Sequence, residues 1–312
     1  MPVGLLYALI VAIWGSSWIG IELQLGVVAP EWSIAYRFVL AAALLLGFCA
    51  ATGCSLRFSR RDHVFMAAQG VTLFSINYVL FYVAAGHLTS GLLAVAFSTI
   101  VVMNIGNGAL LFGHRAEPLV ALAALAGIAG LGLVFWPEIA GFELSRAAAV
   151  GLGLSLVATY SASLGNMVTV RHKLARVPVV QGNAIGMAYG ALCSIAIAAV
   201  RGAPLAFDWS WTYVGSLVYL AVFATVIGFG AYLTLVQRIG ADRAAYTTVL
   251  FPLVALSLST LFEGYRWTAP AGAGVALVLL GNLLVLWRRR PAALASAKPG
   301  PAGLPAAAGP CE

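Results

Sequence analysis

Charged residues are scarce in this sequence. Of its 312 residues, 9% are charged and 62% are apolar. A soluble globular domain carries about 25% charged residues, so this chain has too few of them to cover a soluble surface. The composition excludes an ordinary soluble domain and indicates a protein whose natural solvent is the lipid bilayer.

Clustered basic residues and paired cysteines are also missing. The formal charge is +7, but Lys and Arg are scattered among short loops and do not form the single basic face that nucleic-acid binding needs. The four cysteines include no CxxC pair and no metal-ligand spacing. We therefore expect no nucleic-acid partner, no metal and no cofactor.

The sequence contains a series of long apolar runs instead. A helix needs about 20 apolar residues to cross the hydrocarbon core. Runs bounded by charge, Pro or Gly predict an all-α integral membrane protein with ten transmembrane helices, and the short connections make neighbouring helices antiparallel. The predicted spans are residues 3–22, 32–52, 63–85, 89–112, 119–137, 147–170, 179–200, 211–236, 243–262 and 270–287.

The basic residues orient these spans. If the N-terminus is cytoplasmic, 13 of the 17 basic residues fall on the inner side and 4 on the outer side, as the positive-inside rule requires. Both termini are thus predicted to be cytoplasmic, with the protein in the cell (inner) membrane. Because residues 1–10 contain no Lys or Arg, the first run is predicted to be a retained helix and not a signal peptide. The tail at 291–312 has no aromatic residue and is predicted to be disordered.

Two parts of the chain are related by an offset of 151 residues. The offset places LLFGHRAEP near Gly113 over LFEGYRWTAP near Gly264, and SGLLAVAFSTIVV (90–102) over ADRAAYTTVLFPL (241–253). Five spans in 1–145 are thus followed by five related spans in 146–290, and because five is odd the second copy must be inverted. Inverted five-helix repeats are typical of secondary transporters. Chance similarity among Ala-, Leu- and Gly-rich helices is the alternative explanation.

Several short motifs occur in the order and spacing of a known family. They are Trp14-Gly15-Ser16, Tyr36-Arg37-Phe38, NYVLFYVAAGHLTSG (77–91), RIGADRAA (238–245), Pro252 and the two Gly-x-Arg turns. With them, residues 3–290 resemble the EamA-type branch of the drug/metabolite transporter superfamily, and within it the YddG-like exporters of aromatic amino acids. The chain departs from the family pattern at Val101, where Pro is common, and at His114 and Tyr265, where Glu is common. The resemblance implies a ten-helix carrier of small metabolites.

Polar and aromatic side chains at depth form the candidate transport site. Polar groups in a bilayer are costly unless they face protein or water, and Trp normally lies at the interface, yet Trp14 lies near mid-depth. A single Ser or Thr is explained by an interhelical hydrogen bond, whereas the whole set is better explained by a shared cavity. The predicted substrate cavity is lined by Trp14, Ser17, Trp18, Asn77, Tyr78, Tyr82, Ser98, Thr159, Tyr160 and Ser163.

Proline and glycine mark two further features. Pro252 lies within the ninth span and leaves the carbonyl of Thr248 without its helical donor. We therefore predict a kink or gate at Pro252 and Thr248. In the seventh span, Gly182, Gly186 and Gly190 repeat every four residues and predict a close-packing ridge.

The spans also lack charge at their centres. No Asp, Glu, Lys or His lies at the middle of a span, and proton-coupled carriers commonly use buried carboxylates or histidines. Central cations that could clamp a phosphate are missing too, while Trp, Tyr, Asn and Ser suit a neutral or zwitterionic aromatic molecule. The sequence predicts a secondary transporter that exports aromatic or other apolar amino acids by alternating access and uncoupled facilitated diffusion.

Alternatives to this prediction come from three classes. The first is a broad-specificity drug/metabolite efflux carrier with proton coupling. The second is a membrane enzyme, which the absence of deep carboxylates and the peripheral positions of the four histidines disfavour. The third is a channel or scaffold, which would need a symmetric ring of charged side chains or carbonyls. The oligomeric state stays open, with a monomer as one option.

Overall fold

The computed structural model describes residues 1–112, 118–134, 136, 146–239 and 247–288. Within these ranges all regular structure is helical. The predicted disordered tail at 291–312 and the first Gly-x-Arg turn, from Gly113 to Arg115, lie outside the described residues. So does the side chain of Thr248.

The described residues form ten helical stretches, numbered α1 to α10 in chain order. Their ends lie within a few residues of the predicted apolar runs. The bounds are Val3–Glu22 for α1, Pro30–Ala51 for α2, Arg60–Ala85 for α3, Ser90–Phe112 for α4, Pro118–Val134 for α5, Arg146–Leu174 for α6, Val179–Val200 for α7, Trp211–Val218 followed by Tyr219–Ile227 and Gly228–Ile239 for α8, Thr247–Phe262 for α9 and Ala269–Arg288 for α10.

Seven helices are long and apolar enough to cross a membrane, namely α1, α2, α3, α4, α6, α7 and α8. Shorter apolar segments occur in the other three stretches, at Leu125–Val134, Leu250–Phe262 and Ala269–Gly281. The predicted all-α architecture is confirmed for the described part of the chain, and the composition of the seven long helices suits a bilayer.

Turn residues between the apolar runs set the helix ends. Pro30 stands at the first position of α2, where its missing N–H costs no intrahelical bond. Ser59 caps α3 by accepting a hydrogen bond from the Asp62 N–H, and Ser210 caps α8 by accepting one from the Tyr213 N–H. Such caps satisfy amides that the helix itself leaves unpaired.

Two of the helices contain π-helical turns, which the sequence did not predict. In α3 the turn spans Thr72–Ile76, and in α8 it spans Tyr219–Ile227. These are the third helix of the first five and the third helix of the second five. Since π-helical turns are rare and often occur at functional sites, these parts of α3 and α8 are candidates for a functional site.

Helix packing is reciprocal between the first five and the second five helices. Contacts join α2 to its counterpart α7, and α5 to its counterpart α10. The helix α1 packs on α8 and α9, and correspondingly α6 packs on α3 and α4. This is the pattern expected when two copies of one five-helix unit face each other.

Glycines allow the closest helix approaches. A Cβ atom on Gly70 of α3 would lie 2.5 Å from the Gly186 carbonyl oxygen and 2.7 Å from the Gly190 amide nitrogen of α7. On Gly190, a Cβ would lie 2.7 Å from the Phe74 Cβ. The ridge predicted on α7 thus contacts α3 through Gly186 and Gly190, whereas Gly182 meets only Val177 and His172.

The proline predicted to act as a gate is buried inside α9. The helix α9 runs from Thr247 to Phe262 with Pro252 inside it. A role of Pro252 and Thr248 in gating stays a prediction.

Candidate functional site

Four aromatic rings meet where α1, α3, α4 and α9 converge. Trp18 is central: its ring centroid lies 5.1 Å from that of Phe81, 5.5 Å from Phe97 and 6.4 Å from Phe251. Phe97 also lies 5.6 Å from Phe81 and 5.9 Å from Phe251. We call these four residues the aromatic cluster. Trp18 was predicted as a cavity residue, but its three phenylalanine partners were not, because apolar rings give no separate signal in an apolar sequence.

Trp14 lies one turn before Trp18 on α1, against the π-helical turn of α8. Its indole Nε1–H donates to the Ala224 carbonyl at 3.1 Å. The ring also packs on Phe229 and Tyr232, with centroid distances of 5.6 and 5.2 Å. The mid-depth N–H therefore has the partner that it needs, and this partner is backbone of the second half.

Three of the four serine and threonine residues predicted to line the cavity are hydrogen-bonded to helix carbonyls. Ser17 donates to the Trp14 carbonyl at 2.8 Å, Ser98 to Val95 at 2.7 Å and Thr159 to Ser155 at 2.7 Å. Each of these bonds lies within the residue's own helix. In this state these three hydroxyls stabilise local backbone.

Ser163 makes a link between helices. Its hydroxyl accepts a hydrogen bond of 2.9 Å from the Asn107 side-chain amide, and one turn away Asn166 donates to Asn104 at 3.3 Å. These two bonds join α6 to α4. Tyr160 does not belong to this buried set, because its side chain is 47% exposed on the same helix face as the exposed Gly153 and Val157.

The helix α3 presents polar groups on two faces. Tyr78 and Tyr82, one turn apart, point toward α2 and the segment after α1: the Tyr82 hydroxyl donates to Gln24 Oε1 at 2.5 Å. Asn77 lies on the face that carries Phe81 four residues later. Its side chain is buried, and its Oδ1 atom has no hydrogen-bond partner.

Arg37 is the site residue that the sequence prediction missed. Its side chain is 3% exposed, and both Nε and Nη2 donate to the Thr225 hydroxyl at 3.2 Å. Nη2 also reaches the Tyr78 hydroxyl at 3.4 Å. Thr225 belongs to the π-helical turn of α8, so Arg37 joins the first half of the chain to the second at the same turn that binds Trp14.

An open cavity of about 720 Å³ lies beside the ends of α1, α3 and α9. Its lining includes Glu22, His87, Thr89 and Glu263. Glu263 caps α4 across the bundle, since its carboxylate accepts from the Ser90 N–H at 2.9 and 3.1 Å and from the Ser90 hydroxyl at 2.6 Å. This contact ties α9 to α4 at the rim of the cavity. The described residues include no group of three or more His, Cys, Asp or Glu side chains suited to hold a metal ion.

Comparisons with known proteins agree with this architecture. The EamA-like transporter family matches the chain twice, over residues 2–136 and 149–287. A probable amino-acid metabolite efflux pump of Escherichia coli (strain K12) is 26% identical over 305 residues, which cover 92% of this chain and 96% of that protein. The uncharacterized inner membrane transporter YedA of the same strain is 27% identical over 290 residues, which cover 90% of this chain and 91% of that protein.

A solved crystal structure shares the fold. It matches with a TM-score of 0.65 at 18% identity and covers 92% of this chain and 98% of its own. The family match spans nearly the whole described bundle, in two copies that fall one on each half. The chain therefore belongs to the EamA-like transporter family and is a multi-pass membrane transporter, not an enzyme.

Proposed function

We propose that the protein exports aromatic or other apolar amino acids across the cell inner membrane. The observation that carries this proposal is the aromatic cluster around Trp18, formed by rings from both halves of the bundle. Aromatic pairs contribute about 0.5–1.5 kcal/mol beyond their buried area. A substrate ring that replaces one of these contacts would be bound selectively but weakly enough to be released. The efflux-pump name of one relative supports an amino-acid substrate.

We propose a topology of ten transmembrane helices in two inverted halves, 1–145 and 146–290, with both termini in the cytoplasm. The reciprocal packing of the helices and the paired π-helical turns support the inverted halves. The distribution of 13 inner and 4 outer basic residues supports the orientation. In such carriers the substrate site lies near the midplane, where the halves meet.

Alternating access would then proceed by separation of the halves on one side at a time. On the outer side the halves are joined by Glu263 with Ser90. Closer to mid-depth they are joined by Arg37 with Thr225 and by Trp14 with Ala224. Outward opening requires the first of these contacts to break. Since no Asp, Glu, Lys or His lies at the middle of a span in the described part of the chain, we propose uncoupled facilitated diffusion.

Counterflow in proteoliposomes tests the substrate class. Purified protein would be reconstituted and loaded with unlabelled phenylalanine, a neutral sugar or a cationic drug, and uptake of the labelled compound would be followed. We expect phenylalanine to exchange well above protein-free liposomes and the sugar not to exchange. Exchange of the sugar or the drug without phenylalanine would refute the amino-acid assignment and leave the transporter fold intact.

A broad drug/metabolite efflux carrier with proton coupling is the second candidate. The observation in its favour is the pair of carboxylates, Glu22 and Glu263, that line the outer cavity and would attract cationic molecules. The cationic drug in the same counterflow experiment separates the two candidates, because only a broad carrier would exchange it at a rate similar to phenylalanine.

A further inference from the structure

Arg37 is a buried cation with no acidic partner among the described residues. It stands seven residues beyond Pro30, about 10 Å along the axis of α2, and is 3% exposed. The acidic residues in the described ranges are engaged elsewhere or lie at the rim. Glu31 pairs with Arg201, Asp62 with Arg171, Glu263 binds Ser90, Asp208 binds Ser210 and Glu22 lines the outer cavity.

The guanidinium is only partly satisfied by its neutral neighbours. It has five N–H donors, yet Nε and Nη2 share the Thr225 hydroxyl, and the only further acceptor of Nη2 among the described residues is the Tyr78 hydroxyl at 3.4 Å. Nη1 is buried and has no acceptor. Burying an unpaired charge is strongly unfavourable, so the arrangement favours an anionic partner from outside the described residues.

Two aromatic rings hold the guanidinium in place. Its central carbon lies 4.5 Å from the Tyr78 ring centroid and 5.4 Å from that of Phe38. Ring contacts of this kind partly compensate a buried cation. Both N–H donors of Nη1 have no acceptor, whereas Nη2 donates to the Thr225 and Tyr78 hydroxyls. Once the Thr225 contact is released, the edge formed by Nη1 and Nη2 matches the two oxygens of a carboxylate.

Complementary groups for the rest of an amino acid follow one another on α3. Tyr78 packs on Arg37, the preceding Asn77 has an unpartnered buried Oδ1 atom, and Phe81 belongs to the aromatic cluster. The three positions span about 6 Å along the helix axis, with Asn77 and Phe81 on one face and Tyr78 on the neighbouring face. An arginine edge, an amide oxygen and a group of rings correspond to the carboxylate, the ammonium group and the side chain of an aromatic amino acid.

We propose that Arg37 is the residue that recognises the substrate carboxylate, through Nη1 and Nη2, when α2 and α8 separate. This inference rests on the proposed function and deepens it. The carboxylate replaces Thr225 as the acceptor, so substrate binding breaks hydrogen bonds that join the two halves and favours opening. The site therefore selects small zwitterionic amino acids over their amides, esters and amines.

A matched pair of substrates and a matched pair of variants test this proposal. Phenylalanine and phenylalaninamide differ only in the carboxylate, and counterflow of both would be measured for the wild type, Arg37→Gln, Arg37→Lys and Arg266→Gln. Arg266 is exposed on the second Gly-x-Arg turn, between α9 and α10, so Arg266→Gln removes an exposed cation outside the proposed contact between α2 and α8. Size-exclusion elution and the melting temperature would check that each variant is folded.

We expect the wild type and Arg266→Gln to prefer phenylalanine over its amide. Because Arg37→Gln removes hydrogen bonds between two charged groups, we expect it to lower phenylalanine exchange about 10- to 100-fold. Exchange of the amide, which has no carboxylate, should fall much less. Arg37→Lys should keep part of the preference because it keeps the charge. The proposal is overturned if Arg37→Gln keeps the wild-type ratio of the two rates, or if both Arg37 variants lose both substrates equally, which would assign Arg37 a purely structural role.

A binding measurement separates this inference from the proposed function. The rise in melting temperature on adding benzoate would be compared with that on adding benzamide, for the wild type and Arg37→Gln. Stabilisation by benzoate only in the wild type supports the carboxylate site even if phenylalanine is not transported. Phenylalanine transport without discrimination against the amide, and without a benzoate effect, would leave the proposed function standing and refute the role of Arg37.

Discussion

At the scale of single residues, Trp14 and Arg37 are anchored at the same π-helical turn of α8. Trp14 donates to the Ala224 backbone and Arg37 to the adjacent Thr225 side chain. Thr225 in turn donates to the Leu220 carbonyl five residues earlier, at 2.8 Å, which is the π-helical spacing. Two helices of the first half are thus bound to one turn of the second. A change at this turn affects both contacts at once.

Trp14→Phe tests the anchoring bond apart from the ring. The substitution keeps a ring beside Phe229 and Tyr232 but removes the N–H donor. Interhelical hydrogen bonds in membranes contribute about 0.6–1.7 kcal/mol, so we expect a lower melting temperature in detergent and slower counterflow. Trp211→Phe is the control. Because Trp211 is 92% exposed, this substitution should leave the melting temperature and the counterflow rate unchanged. Equal melting temperatures for the two variants would show that the Ala224 contact adds no stability.

The sequence could predict Trp14 and Trp18 as unusual but could not assign their partners. A tryptophan at mid-depth is visible in the sequence because its position conflicts with the usual interfacial preference. The sequence also does not tell which partner a serine binds. Ser98 donates to a carbonyl of its own helix, whereas Ser163 accepts from a side chain of another helix. The difference depends on contacts between distant parts of the chain. Arg37 was missed for the same reason: its burial depends on Thr225, which lies 188 positions away along the chain.

At the scale of helices, the bundle depends on close approaches that only glycine permits. Gly70 on α3 and Gly190 on α7 place the two backbones in direct contact, and Gly130 on α5 similarly approaches Gly274 on α10. The repeat of glycine every four residues in α7 predicted the surface between α3 and α7. The π-helical turns were not predicted, because they carry no composition signal and arise from the packing of whole helices.

Gly190→Ala tests the contact between α3 and α7. The added Cβ would lie 2.7 Å from the Phe74 Cβ and 3.0 Å from the Gly70 carbonyl oxygen. Overpacking of this kind costs about 1–3 kcal/mol, so we expect a clearly lower melting temperature. Gly153→Ala on α6 is the matched control, because nothing lies within 4 Å of its added Cβ and alanine favours the helix. If both variants have the melting temperature of the wild type, then α3 and α7 can move apart enough to accommodate the added methyl group, and the close contact contributes no stability.

At the scale of the whole molecule, the acidic residues of the described ranges lie at or beyond the ends of helices. Asp62 and Arg171 form an ion pair at one end of α3 and α6, and Glu31 and Arg201 form one near the opposite end, between α2 and α7. Glu22 and Glu263 line the open cavity beside the ends of α1, α3 and α9. Arg37 is the charged residue found deeper inside, and a guanidinium stays protonated in proteins. It can bind an anion but cannot carry a proton across the membrane.

An imposed pH gradient therefore should not drive accumulation of substrate. In proteoliposomes with the membrane potential clamped, phenylalanine uptake should stop at equal inside and outside concentrations whether or not a pH gradient is present. Counterflow in the same vesicles, driven by preloaded substrate, serves as the positive control for active protein. Uphill accumulation that a protonophore abolishes would contradict uncoupled transport. It would point to the rim carboxylates, because Glu22 and Glu263 are the acids placed to take up a proton at the cavity and to alter the Glu263–Ser90 contact between the halves.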